Sequence, residues 1–252
     1  MRVAVVTGAS TGIGEAVARA LAGRGWRCVL LARREGLLEA LATEIGGEWE
    51  RCDVADRAEV EELAARIMAR HPKVDLLVNN AGMPGRKPFL EIDPDRIETV
   101  MRVNYLGSVW CLRAFVPALE KAHGHVVNMV SVAGMIGLPG GGAYSASKHA
   151  QLAFSRAVTA ELRPRGIRVH TVCPGFVESE GFPQRGVLRP RILQRFVLDP
   201  EDIARHVLHV LDKDKRETVV PRWYRIAPIG QALLPGVVAR VGSRVGSRQV
   251  PE

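Results

Sequence analysis

The chain has 252 residues, 47% of them hydrophobic and 25% charged, a composition that excludes intrinsic disorder as its main state. Its four cysteines (Cys28, Cys52, Cys111 and Cys173) are dispersed without a CxxC pair, which argues against a zinc site and a disulfide framework and fits a reducing, cytoplasmic setting, and no metal site is expected. The formal charge is +8, and its distribution decides what that means.

Residues 1–155 hold 18 basic and 17 acidic groups, residues 156–196 hold 8 and 3, residues 197–214 hold 2 and 5, and residues 215–252 hold 7 and 2. The excess therefore sits late in the chain, where it can steer anionic ligands or meet an anionic surface. No nucleic-acid-binding motif with interleaved aromatic residues accompanies it, so nucleic acid is not expected as a partner.

In chain order, Val3–Val6 is a short apolar run that leads directly into a glycine loop, and so reads as a first strand rather than a signal peptide. Comparable runs recur at Cys28–Ala32, Leu76–Val78, Val126–Val130 and Val169–Val172, as expected of strands buried on both faces of a parallel sheet. Amphipathic segments lie between them at Gly14–Gly23, Ala58–Ala69 and Ala143–Arg163. This alternation predicts an α/β protein with a doubly wound central parallel sheet flanked by helices in three αβα layers, because parallel strands need crossover connections. No linker or internal repeat divides it, and residues 1–252 read as one domain.

The first strand is followed by Thr7-Gly8-Ala9-Ser10-Thr11-Gly12-Ile13-Gly14, whose glycines let a pyrophosphate approach the amides at a helix N-terminus. The second strand ends in Arg33 and Arg34, where a carboxylate would select a free ribose 2′-hydroxyl and an arginine accommodates a 2′-phosphate. With Ser10 and Thr11 beside them, these arginines point to NADP(H). Asp53 and Val54 follow the next strand, where the carboxylate can accept from an adenine amino group.

Asn79-Asn80-Ala81-Gly82 ends the Leu76–Val78 strand, Ser131 ends Val126–Val130, and Tyr144 and Lys148 share one face of the long helix. A free tyrosine has a pKa of about 10, and a neighbouring ammonium lowers it. The pair therefore suits general acid/base work on an alcohol or carbonyl, with Ser131 donating to the carbonyl oxygen.

These motifs together resemble the short-chain dehydrogenase/reductase family over residues 1–215. The resemblance implies a Rossmann fold and hydride transfer between a nicotinamide and a secondary alcohol or ketone. It implies a catalytic tetrad of Asn104, Ser131, Tyr144 and Lys148, with Tyr144 as proton donor in reduction and Lys148 holding the nicotinamide ribose. Asn104 would anchor a water in a proton relay that reaches Lys148. Asn80 and Ala81, with Gly82, would line the adenine-ribose side. Pro174 and Gly175 would face the nicotinamide, with Val177 and Ser179 beyond them. A homodimer or homotetramer built on helices near 95–119 and 144–163 is also implied. A non-catalytic NADP-binding regulator on the same fold is the competing reading, and it predicts loss of a tetrad member, yet all four are present.

Two stretches stand apart. Residues 176–198 break the alternation after a strand end and read as a substrate loop. Met83, Met135, Ile136, Leu138, Phe176, Val177 and Phe182 are candidate walls for a hydrophobic carbonyl or alcohol substrate. In residues 217–252, Glu217-Thr-Val-Val-Pro-Arg-Trp223 stands where many members carry an Asp-Gly-Gly-like turn, which puts the usual tetramer contact in doubt. Beyond it, Trp223, Tyr224, Leu233, Leu234, Val237 and Val238 alternate with Arg222, Arg225, Arg240 and Arg244, a mix that suits weak contact with a membrane surface.

Overall fold

The computed structural model describes residues 1–137, 139–184, 196–237 and 240. Seven parallel strands form one sheet in the order β3-β2-β1-β4-β5-β6-β7. They are β1 (Val3–Thr7), β2 (Arg27–Ala32), β3 (Glu48–Arg51), β4 (Leu76–Asn79), β5 (His125–Met129), β6 (Arg168–Pro174) and β7 (Glu217–Val220).

The central strands are apolar throughout because both faces are covered. Successive side chains of β1 enter opposite cores. Val3 and Val5 join one cluster with Val60, Leu63, Phe115 and Leu119, while Ala4 and Val6 join the other with Val17, Leu21, Leu38 and Ile203. The helices behind the first cluster are α3 (Arg57–Arg70), α5 (Gly107–Ala122) and α6 (Gly142–Leu162). Those behind the second are α1 (Gly12–Ala22), α2 (Glu35–Ile45) and α7 (Pro200–Asp212). The doubly wound three-layer arrangement expected from the alternation is the one observed.

The edge strands carry what the apolar runs did not signal. β3 is Glu-Trp-Glu-Arg, charged at three of four positions, yet it pairs in register with β2 from Val29↔Glu48 to Ala32↔Arg51. Charge on an edge strand blunts pairing with other chains. At the other edge, Glu217–Val220 is still a strand, pairing with β6 from Thr171↔Glu217 to Pro174↔Val220. The divergent tail therefore begins after the sheet is complete.

The chain order reverses between β1 and β4, which opens a crevice beyond their carboxyl ends. Between α4 (Pro94–Met101) and α5, residues Arg102–Leu106 widen into a π-helical turn that carries Asn104.

After β7 a short turn, Arg222–Arg225, leads to α8 (Ile226–Leu233). Ile226, Ile229, Leu233, Leu234 and Val237 are exposed there, and Gln231 Oε1 accepts from the Gly137 amide at 2.9 Å. Among the described residues no helix is long and apolar enough to cross a membrane. Leu138, Val238, Arg244 and the middle of the 176–198 loop lie outside the described residues.

Candidate active site

A cleft of about 630 Å³ runs across the carboxyl ends of β1, β2, β4, β5 and β6, within the usual size of a small-molecule site. Every proposed site residue from Gly8 to Ser179 lines it except Gly14 and Asn104, which stand behind its wall.

The nucleotide end is built first. Gly8 has φ +64°, and a Cβ there would lie 2.7 Å from the Ala81 Cα; at Gly14 a Cβ would lie 2.2 Å from the Gly8 carbonyl oxygen. Only glycine permits this loop to fold against both its own helix and the Asn80–Gly82 segment. Thr7, which the sequence reading left unassigned, fastens the two segments together. Its Oγ1 donates to the Val78 carbonyl at 3.1 Å and accepts from the Asn80 and Ala81 amides, each at 3.0 Å. Asn80 Nδ2 donates to the Thr7 and Gly8 carbonyls, so the observed contacts of this side chain shape the glycine loop.

Thr11 precedes α1 but does not cap it with its side chain. Its Oγ1 instead accepts from Arg34 Nη2 at 2.6 Å, and Ser10 Oγ accepts from the same guanidinium at 3.2 Å. The first-turn amides of α1 and the positive end of its dipole face the cleft. Arg33 stands 3.8 Å from Asp53, and Arg34 Nη1 is 3.0 Å from Glu180. Ser10, Thr11, Arg33 and Arg34 thus converge at the end of β2, a donor set that fits a phosphate group.

At the other end, Ser131 Oγ accepts from the Ala133 amide at 3.1 Å and is 3.4 Å from the Pro174 carbonyl. The Tyr144 side chain is half-buried and lines the cleft together with Ser131. Desolvation raises its pKa above the ordinary tyrosine value, and the neighbouring Ser131 hydroxyl and the charge of Arg86 oppose that rise. Arg86 is one cation whose charge favours the phenolate. The Lys148 ammonium donates to the Met129 carbonyl at 2.9 Å and to Gln151 Oε1 at 2.7 Å. Burial lowers its pKa to about 7.

Gln151 has no exposed surface and passes the connection on through Nε2 to Ser108 Oγ at 2.8 Å. Asn104 is equally buried. Its Oδ1 accepts from the Met83 amide at 2.8 Å, and its Nδ2 donates to the Met83 carbonyl and to Ser147 Oγ. In this arrangement Asn104 fixes the loop after β4 to α6.

A further buried chain links the strands beneath the site. Asn79 Nδ2 donates to Asn128 Oδ1 at 2.9 Å, Asn128 Nδ2 donates to Ser155 Oγ at 2.9 Å, and Ser155 Oγ lies 2.7 Å from Thr171 Oγ1. Paired polar side chains of this kind fix strand register as well as holding the strands.

Of the expected substrate walls, Met83, Ile136, Phe176, Val177 and Phe182 line the cleft. Met135 packs instead on the Val130–Leu152–Tyr224 cluster. The described start of the 176–198 loop covers Tyr144, with the Phe182 ring 5.7 Å from the phenol ring. Arg86, Arg96, Gln184 and Tyr224 also line the cleft and were not foreseen.

Comparison with known proteins gives a consistent picture. A family model described as short chain dehydrogenase matches residues 2–186. A 3-oxoacyl-[acyl-carrier-protein] reductase of Synechocystis is 37% identical over 186 residues, covering 71% of this chain and 75% of the relative. Among solved structures, an alcohol dehydrogenase from the archaeon Thermococcus sibiricus complexed with 5-hydroxy-NADP is 32% identical, with TM-score 0.77 and coverage of 89% and 97%. A short chain dehydrogenase/reductase from Burkholderia phymatum in complex with NAD is 26% identical, with TM-score 0.82 and coverage of 100% and 98%.

Proposed function

The chain belongs to the short-chain dehydrogenase/reductase family, and from that premise we propose that it is an NADP(H)-dependent oxidoreductase that reduces a largely apolar ketone to a secondary alcohol. The observation that carries this reading is one cleft joining two chemistries. A donor set of Ser10, Thr11, Arg33 and Arg34 that fits a phosphate lies at one end, and the hydroxyl side chains of Ser131 and Tyr144 line the other, beside Lys148.

Bound nicotinamide supplies the hydride. The protein's own part is to place and protonate the carbonyl. Ser131 and Tyr144 hold the carbonyl oxygen between two hydroxyls, where negative charge develops. Tyr144 gives its phenolic proton to that oxygen, and a phenol kept protonated by burial is the form that can do so. Lys148, buried with a pKa of about 7, exchanges protons near neutrality and refills the phenol. Gly8, Gly12 and the first turn of α1 would hold the pyrophosphate, while Pro174, Gly175, Val177 and Ser179 would wall the nicotinamide side. Asp53 and Val54 would border the adenine, with Asn80, Ala81 and Gly82 beside the adenine ribose. The apolar residues Met83, Ile136, Phe176 and Phe182 exclude water from the reacting carbon.

We read residues 1–252 as one such unit, acting as a homodimer or homotetramer in the cytoplasm. The test is kinetic. NADPH-linked turnover on a panel of aryl and alkyl ketones is expected for the wild type and lost in Tyr144→Phe. Undiminished turnover in that variant contradicts the proton-donor role.

A further inference from the structure

The charges lining the cleft divide unevenly. Its two lining carboxylates, Asp53 and Glu180, both stand at the nucleotide end, beside Arg33 and Arg34. The substrate end carries two further arginines, Arg86 and Arg96. Arg96 Nη2 is tied to the Pro84 carbonyl at 3.1 Å. Arg86 Nη1 donates to a neutral acceptor, Gln184 Oε1, at 3.1 Å, and among the described residues neither arginine has a carboxylate partner. Gln184 is itself held, with its amide donating to Glu178 Oε2 at 2.9 Å.

Arg86 is exposed in the free protein and lines the same cleft as Tyr144, Met83, Ile136, Phe176 and Phe182. A purely apolar ligand seated over it would strip water from the guanidinium without giving it an ionic partner. Arg86 is a natural choice for a ligand that brings the partner with it, because the planar fork matches the geometry of a carboxylate or phosphate. We propose that Arg86 anchors an anionic oxygen group, carboxylate or phosphate, carried by an otherwise apolar carbonyl substrate whose ketone lies on Tyr144 and Ser131. The assignment names the substrate class for the reductase reading above and rests on it.

The experiment compares matched pairs of phenyl ketones with NADPH: benzoylformate and its propanoate and butanoate homologues against their methyl esters, and phenacyl phosphate against phenacyl alcohol. The spacer series allows for the unknown distance between ketone and anion. The phosphate pair distinguishes the two anion chemistries. At the best spacing kcat/KM of the wild type is expected to favour the anion by about 10-fold or more, the worth of a charge-assisted hydrogen bond. Arg86→Gln is expected to bring the anion-to-neutral ratio close to unity through KM, and Arg86→Lys to keep part of it. Because the ratio is taken within one enzyme, any effect of Arg86 on Tyr144 cancels from it. Neutral members preferred across the whole series, or a ratio unchanged in Arg86→Gln, overturns the proposal. Quenching of bound NADPH fluorescence by the same acids reads the anchor without turnover. Arg86-dependent acid binding by an enzyme that reduces no ketone upholds the anchor and refutes the reductase reading, whereas ester reduction with no preference for acids does the reverse.

Discussion

Replacing Gln151 by leucine removes the side chain that holds the Lys148 ammonium at 2.7 Å and leaves that buried group only the Met129 carbonyl at 2.9 Å. A hydrogen bond to a buried charge is worth about 1.5–3 kcal/mol, and one pKa unit corresponds to about 1.4 kcal/mol. The Lys148 pKa, already lowered to about 7 by burial, therefore falls by about a further one to two units. Lys148 supplies the proton that refills Tyr144, so the high-pH limb of kcat/KM moves down by the same amount. Gln151→Glu moves it the other way, because a carboxylate at the same reach stabilises the ammonium. The assay is NADPH oxidation from pH 5 to pH 9 for the three proteins, with thermal melts showing that each is folded. Coincident pH profiles for all three would refute the argument that Gln151 sets the protonation of Lys148.

The other predictions are simpler to check. Arg33→Ala and Arg34→Ala should each weaken NADPH by about 10-fold or more while changing NADH little, since each removes a charge-assisted contact to a 2′-phosphate; equal losses for both cofactors, by fluorescence titration, would place the arginines elsewhere. Asn128→Ala should cost about 2–4 kcal/mol in urea unfolding, because it opens a cavity and strands the Asn79 and Ser155 groups that Asn128 bridges; a cost below about 1 kcal/mol would show the chain to be dispensable. His125 and His170 stack with Nδ1 and Nε2 2.8 Å apart, and burial lowers both pKa values, that of His125 to about 4. The unfolded chain then binds these protons more readily, so stability is full above about pH 6.5 and is lost as pH falls toward 4; a melting temperature unchanged from pH 7 to pH 4.5 would contradict this.

The sequence reading reached the centre of the fold and stopped at its edges, and the reason is physical. β1, β2, β4, β5 and β6 are covered on both faces and so present apolar runs, whereas β3 pairs on one side only and its Glu-Trp-Glu-Arg pattern resembles a loop. Helices α2 and α7 were not located, although α7 carries a readable start in Asp199, Pro200 and Asp202, with Asp202 Oδ2 accepting from the Asp199 amide at 3.1 Å. Motif residues were legible because each needs one residue type at one spacing. Arg86, Gln151 and Thr7 were not, since their importance comes from neighbours distant in the chain: Gln184 for Arg86, Ser108 for Gln151, and Val78 to Ala81 for Thr7. Spacing puts Lys148 on the helix face of Tyr144, but only packing reveals that Met129 and Gln151 hold its ammonium and that Arg86 lines the same cleft.

The central claim is hydride transfer to a ketone with Tyr144 as the proton donor. It is tested most directly with NADPH deuterated at the transferable C4 position of the nicotinamide, a ketone that the wild type reduces, and mass analysis of the product. The account predicts one deuterium on the carbinol carbon with the wild type. With Tyr144→Phe it predicts no product, although that protein still binds NADPH. Product without deuterium, or labelled product formed at an undiminished rate by Tyr144→Phe, would contradict it.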